Sequence, residues 1–247
     1  LISVLAHHNT QSSISAFEHI SIELMIKEAV FIILCFASQV FAQSTLNSAD
    51  SPYAFIPKGY VITETIRGDL NKDGLEDYVF ITRGTLSTGI VKDEMRGLLD
   101  RNRRGIVVVF NQKTKYVLAL EFQNCFSSEN EDGGLYMPPY LNIYIQKGGL
   151  FVHYAHGRYG YWRYIFRYIN SEFVLIGYDR EEAHGPDILS AISINLLTKR
   201  MSIKENSNPN YTPIKLKQKW MKFSIKKPIR LVDFSDFDEC KSTLFEC

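Results

Sequence analysis

YWRYIFRY (161–168) runs through INSE (169–172) into FVLIGY (173–178), two stretches rich in Tyr, Phe, Val and Ile joined by a short polar connection. Aromatic and β-branched side chains fit the pleated, half-buried surface of a strand, so the three pieces read as one antiparallel hairpin. Successive side chains of a strand point to opposite faces. Trp162, Tyr164, Phe166 and Tyr168 then share one face, and Tyr161, Arg163, Ile165 and Arg167 the other. The first face reads as core. The second alternates cations with apolar groups, which suits a shallow contact surface supported by cation–π interaction; ordinary cross-strand pairing on a solvent face is the alternative. Tyr159, Tyr161, Arg163 and Arg167 are the candidate surface for an unidentified protein or glycan ligand.

The same pattern recurs on either side. VVVF (107–110), NQKTK and YVLAL (116–120) form one hairpin, LNIYI, QKGG and LFVHYA (141–155) a second, and AISINLL, TKR and MSIKE (191–205) a fourth. Gly148 and Gly149 supply the positive φ that a tight hairpin turn requires. Four successive hairpins predict an all-β chain of mainly antiparallel strands, arranged as a sandwich or as part of a propeller. One segment departs from this. VKDEMRGLLDRNRRG has Asp93 as an N-cap, Met95, Leu98 and Leu99 at helical spacing, and Gly105 as a stop, which predicts one short helix near 92–104. About a fifth of the chain is charged, and no linker or clear internal repeat divides it, so residues 43–247 are expected to form a single β-rich domain with a charged C-terminal tail.

The stretch MIKEAVFIILCFASQVFA (25–42) has a Lys near its start, an apolar run of about nine residues and small side chains ahead of Gln43, the layout of a secretory signal peptide. That run is shorter than the roughly 20 residues a membrane-spanning helix needs, so no permanent span is expected. Residues 1–24 read as an upstream extension outside the fold. The expected location is periplasmic or secreted. Residues 1–42 carry one Lys and three Glu, so their removal moves the net charge from +1 to about +3. Such a balance gives no reason to expect nucleic acid. Cys125, Cys240 and Cys247 remain, an odd number that rules out a disulfide framework, although Cys240 and Cys247 stand close enough in sequence to pair.

GDLNKDGLEDYVFI (68–81) is the one stretch with metal chemistry. Calcium takes 6 to 8 oxygen ligands, so a binding loop sets carboxylates and carbonyls at alternate positions around a sharp turn. Asp69, Asn71 and Asp73 stand at such positions, Gly74 permits the turn, the Leu75 carbonyl is a further donor and Asp77 closes the far side. The EF-hand rule would place its closing Glu at Phe80, and a strand-like run follows in place of a helix. These residues resemble the strand, calcium loop, strand element of FG-GAP and VCBS repeats, found in exported bacterial proteins and propeller domains. The resemblance covers about fifteen residues and a single copy. It implies calcium as cofactor, held by Asp69, Asn71, Asp73, Leu75 and Asp77, and a binding role at the envelope or exterior. Without metal, the same Asp, Asn and Gly make a polar turn.

Other clusters have weaker signals. His153 and His156 lie three apart on an extended segment and face opposite ways, against shared ligation. Glu129, Glu131 and Asp132 with His156 give a hydrolase alternative, in which loop carboxylates act as acid and base if the segments converge. The loop NEDGG (130–134) would serve a third reading, an inhibitor of an envelope enzyme. Asp179, Glu181, Glu182, His184 and Asp187 gather in sequence, but His184 before Gly-Pro also reads as a turn. The tail alternates Lys with apolar residues from 215 and then turns acidic, which suggests internal charge pairing or an edge strand protected by Lys. Familiar enzyme signatures such as G-x-S-x-G, H-E-x-x-H and the P-loop are missing.

Overall fold

The computed structural model describes residues 48–131, 138–208 and 215–237. The leader, Asp132, most of the NEDGG loop, and Cys240 with Cys247 lie outside them. In chain order the strands are β1 (Ser48–Ala49), β2 (Tyr60–Gly68), β3 (Asp77–Gly84), β4 (Ile90–Asp93), β5 (Gly97–Asp100), β6 (Arg104–Asn111) and β7 (Tyr116–Phe126). There follow β8 (Tyr140–Gln146), β9 (Gly149–Ala155), β10 (Gly160–Ile169), β11 (Glu172–His184), β12 (Asp187–Asn195), β13 (Arg200–Asn206) and β14 (Leu216–Lys222). The four predicted hairpins are β6/β7, β8/β9, β10/β11 and β12/β13. Two of them turn through two residues with positive φ, Lys147-Gly148 and Asn170-Ser171, whose backbone twist matches that of the strands they join.

The strands make a five-stranded sheet in the order β1-β7-β6-β3-β2, a seven-stranded sheet running consecutively from β14 to β8, and the small pair β4-β5. All named pairings are antiparallel. The two large sheets share one apolar core, which joins Val79, Ile81, Ile106 and Val108 of the first to Val152, Tyr154, Tyr164, Phe166 and Leu175 of the second. Of the two expected arrangements, the sandwich fits this shared core. Gly68 ends β2 directly over β8: a Cβ there would sit 2.9 Å from Ile145 Cγ2, so a side chain would wedge the sheets apart.

The central strands β3 and β6 of the five-stranded sheet are buried on both faces. Ile106, Val108 and Phe110 enter the shared core, while Val107 and Val109 pack with Phe55 and Phe80 in a second cluster, where the 3-10 turn Pro52–Phe55 supplies the cover. That is why β6 reads as an unbroken apolar run with no alternation. In the seven-stranded sheet Trp162, Tyr164, Phe166 and Tyr168 of β10 face the core, and the alternating partners face outward.

The segment near 92–104 is not a helix. It forms the β4/β5 hairpin, in which Val91 pairs with Leu99 and Asp93 with Gly97. Asp93 Oδ1 accepts the N–H groups of Met95 and Arg96, the bonds a helix N-cap would make, but Gly97 at φ 82 then reverses the chain. Among the described residues, no apolar surface lies opposite to hold a helical stripe: Met95 is 95% exposed and Leu98 75%. Periodicity alone misled here because tertiary packing, and not propensity, supplies most of a short helix's stability.

The tail has two parts. β14 is the expected edge strand, exposed along most of its length and studded with Lys217, Lys219 and Lys222. The acidic strip is partly paired, Asp236 with Arg103 and Asp233 with Arg230. Its apolar residues do something the sequence reading did not anticipate. Leu231, Phe234 and Phe237 are buried in the shared core, with Phe237 against Phe126 of one sheet and Tyr164 of the other. Trp162 Nε1 donates to the Phe237 carbonyl at 3.1 Å, and Phe237 N to the Cys125 carbonyl at 3.2 Å. Among the described residues, no helix is long and apolar enough to cross a membrane.

Candidate functional site

The loop between β2 and β3 reverses through Lys72 at φ 65 and Gly74 at φ 85. Its acidic side chains accept from the loop's own amides. Asp69 Oδ1 takes Lys72 N at 2.6 Å and Oδ2 takes Gly74 N at 3.0 Å; Asn71 Oδ1 takes Asp73 N at 3.0 Å, and Asp73 Oδ1 takes Leu75 N at 2.8 Å. Asp77 is fully buried, with Oδ2 on Leu70 N at 2.8 Å and Oδ1 on Asn111 N at 3.1 Å. It therefore ties the loop to the end of β6. Burial pushes its carboxyl above the ordinary aspartate range, and these amide donors only partly oppose that. Among the described residues, no three His, Cys, Asp or Glu side chains gather into a group that could hold a metal ion.

The outer face of the seven-stranded sheet holds the more connected constellation. Pairing across β8 to β12 sets Asn142, His153, Arg163, Asp179 and Ser193 side by side in one transverse row. Arg163 Nη2 donates to Asp179 Oδ2 at 2.7 Å, Arg163 Nη1 to the Tyr144 hydroxyl at 3.4 Å, and Ser193 Oγ to Asp179 Oδ1 at 2.7 Å. The guanidinium carbon lies 5.8 Å from the ring centres of both Phe151 and Tyr161. Tyr144 stacks on Phe151, and His153 meets Tyr161 edge-on. Burial works against the Arg163 charge, and its bonds to Asp179 and Tyr144 outweigh burial, holding it above its usual value. Burial, then the charges of Asp179 and Glu181, pushes the Tyr161 hydroxyl up; burial, then Arg163, pushes His153 down.

The predicted surface residues divide. Tyr161 and Arg163 lie inside this cluster. Arg167 is on the same face but farther along, opposite Gly149 and Val174. Tyr159 sits in the 3-10 turn Gly157–Tyr159 that leads into β10, between the ring of His156 and the guanidinium of Arg158. Gly160 is obligatory at this junction, since a Cβ would fall 2.0 Å from the Glu181 carbonyl oxygen. Tyr144, Phe151 and Ser193 were missed in the sequence. The register of Tyr144 and Phe151 could have been drawn, because the two-residue turn between β8 and β9 sets their pairing, but not the one that brings Ser193 of β12 and Asp179 of β11 to Arg163.

The hydrolase residues have other partners. Glu129 pairs with Arg104 at 3.2 Å, and Glu131 Oε1 accepts from Ser128 N and Oγ. Asp179 and Glu181 face outward in β11, Glu182 is bound to Arg180 and to Ser190 Oγ on the opposite side, and His184 enters the turn at Gly185, as the Gly-Pro reading expected. A cleft of about 380 Å³ opens at one end of the five-stranded sheet, lined by Lys58, Tyr60, Asn102 and Arg103 among others. Asn102 is buried there, clamping Leu86 through both its N–H and its carbonyl.

No family model, no curated protein and no solved structure matches this chain.

Proposed function

We propose that this chain is an exported, β-sandwich binding protein of the bacterial envelope or exterior that presents the outer face of its seven-stranded sheet to a protein partner. One observation carries the reading: Tyr144, Arg163, Asp179 and Ser193 form a continuous hydrogen-bonded row on that face, flanked by the rings of Phe151 and Tyr161. Arg and Tyr are the residues that carry interface energy most often, and side chains already held by one another lose little entropy on docking. Two buried nitrogens on this face, His153 Nε2 and Arg167 Nε, have no hydrogen-bond partner among the described residues and are open to one from outside the chain. The test is crosslinking and pull-down from native envelope with wild type and with a Tyr161→Ala, Arg163→Ala double variant whose unchanged melting curve shows that it folds. Loss of one protein partner is expected. Equal recovery of the same partners by both proteins defeats the assignment, and capture of glycan in place of protein redirects it.

A second reading concerns the loop at Asp69, which we propose holds calcium as a structural ion in the weak extracellular range. What supports it is the donor set alone: each carboxylate oxygen that accepts one amide retains a second lone pair, and Asn71 Oδ1 and the Leu75 carbonyl add neutral oxygens; the acidic side chains do not stand gathered in this structure, so binding has to draw them together. An ion there would order the turn and present no substrate position. Calcium at about 100 times its Kd is expected to add about 2.7 kcal/mol of stability relative to chelator, lost in Asp73→Asn. Identical melting with calcium and with EDTA would refute it.

A further inference from the structure

Each large sheet has two edges, and three of the four edge strands carry a recognisable guard against strand addition. β1 is two residues long; β2 is interrupted by a bulge at Thr63 and carries Glu64 and Arg67; β14 presents Lys217, Lys219 and Lys222. Short strands, bulges and lysines are the usual devices that keep an exposed ladder from pairing with another chain. β8 has none of them. Its seven residues, YLNIYIQ, contain no charge and, among the described residues, pair as an unbroken ladder with β9 alone. Pro138 and Pro139 stand just before it and bound the ladder at that end.

We infer that β8 is the docking edge for a second copy of this chain, joined by antiparallel pairing of the two β8 strands about a two-fold axis at Ile143. The strand is its own complement under reversal. Ile143 meets Ile143, Leu141 meets Ile145, Asn142 meets Tyr144, and Tyr140 meets Gln146. Side chains alternate with a period of two, so this register keeps Leu141, Ile143 and Ile145 on the core side in both copies, continuous with the shared apolar layer. No like charges are opposed anywhere along the ladder. A contact that uses the same surface on both subunits closes at two copies. A charged foreign strand, by contrast, would find no counter-charge along this edge. The inference goes beyond the partner surface on the outer face: it rests on the backbone edge of β8, although Asn142 and Tyr144 of that strand also border the outer-face row.

Sedimentation equilibrium of the purified protein at up to about 100 μM tests it, a concentration at which a Kd near 1 μM leaves mostly dimer. Tyr140 is 71% exposed and Gln146 is exposed, so both positions accept new side chains without disturbing the core. Tyr140→Lys with Gln146→Lys sets Lys against Lys at both ends of the ladder and is expected to weaken the dimer about tenfold or more. Tyr140→Lys with Gln146→Glu sets Lys against Glu and is expected to keep it, which separates charge repulsion from loss of the tyrosine ring. A wild-type protein that stays monomeric throughout this range overturns the inference. So does a dimer of equal affinity in the Lys-Lys variant.

Discussion

The five-stranded sheet and the seven-stranded sheet use the same antiparallel hairpins to opposite ends. In β6 both faces are sealed: Val107 and Val108 point in opposite directions and both are fully buried. In β10 the inward Phe166 is fully buried, while its neighbours Ile165 and Arg167 stay partly open to solvent. The centre of the first sheet is scaffold on two sides, while β10 is scaffold on one side and surface on the other. Where both faces of a strand are sealed, as in β6, no side chain is free to contact a ligand, whereas β10 leaves one face open to contact.

The sharpest way to break this comparison is to cut side chains from both faces of each sheet and follow chemical denaturation. Phe166→Ala should cost about 3–5 kcal/mol, and Ile165→Ala, one residue away on the outer face, less than about 1 kcal/mol. Val107→Ala and Val108→Ala should cost about 2 kcal/mol each, with no such asymmetry. Equal losses at 165 and 166 would mean that the outer face is covered after all.

Asp77→Asn comes next, at about 1–3 kcal/mol, because an amide offers one oxygen where the carboxylate supplied an acceptor to both Leu70 N and Asn111 N. Its pH dependence has a definite sign. The folded carboxyl is raised above the ordinary value of about 3.9. The stability it contributes is therefore full below that value and is lost as pH rises through the folded pKa. The advantage of wild type over Asp77→Asn should shrink from about pH 4 upward when melting curves are compared across pH.

Arg163→Ala should change stability by about 1 kcal/mol or less, since its pair with Asp179 is partly solvated, with side-chain exposures of 30% and 19%. The same substitution should remove partner binding, and this split between stability and recognition is what distinguishes surface from scaffold. The smallest effect belongs to His153. Burial, then Arg163, holds its folded pKa below the unfolded value of about 6.5. The stability it contributes is present above pH 6.5 and declines as pH falls from there toward the folded pKa, by a few tenths of a kcal/mol for a half-exposed ring. His153→Gln should flatten that decline in thermal melts.

The all-β class, the four hairpins and the division of β10 into an aromatic core face and an Arg-bearing outer face were readable from residue type and a period of two. These depend on neighbours within a few positions, and local sequence contains them. The Asp69 turn was equally readable, because Asp, Asn and Gly shape the backbone through bonds to amides two to five residues away. What lay beyond the sequence depended on distant partners. If β10 and β11 are paired without interruption back from their turn, Arg163 falls opposite Tyr178. The bulge between Ile165 and Phe166 shifts the ladder by one and brings Asp179 to Arg163, which creates the hydrogen-bonded row. The apolar spacing of Met95, Leu98 and Leu99 fits a helix as well as a hairpin, and only the lack of a facing core selected the hairpin. Phe234 and Phe237, set among acids in the sequence, were drawn into the sandwich because the shared core had space for two more rings. Patterning decides which side of a strand is apolar; register shifts and long-range burial decide what that side, and its reverse, meet.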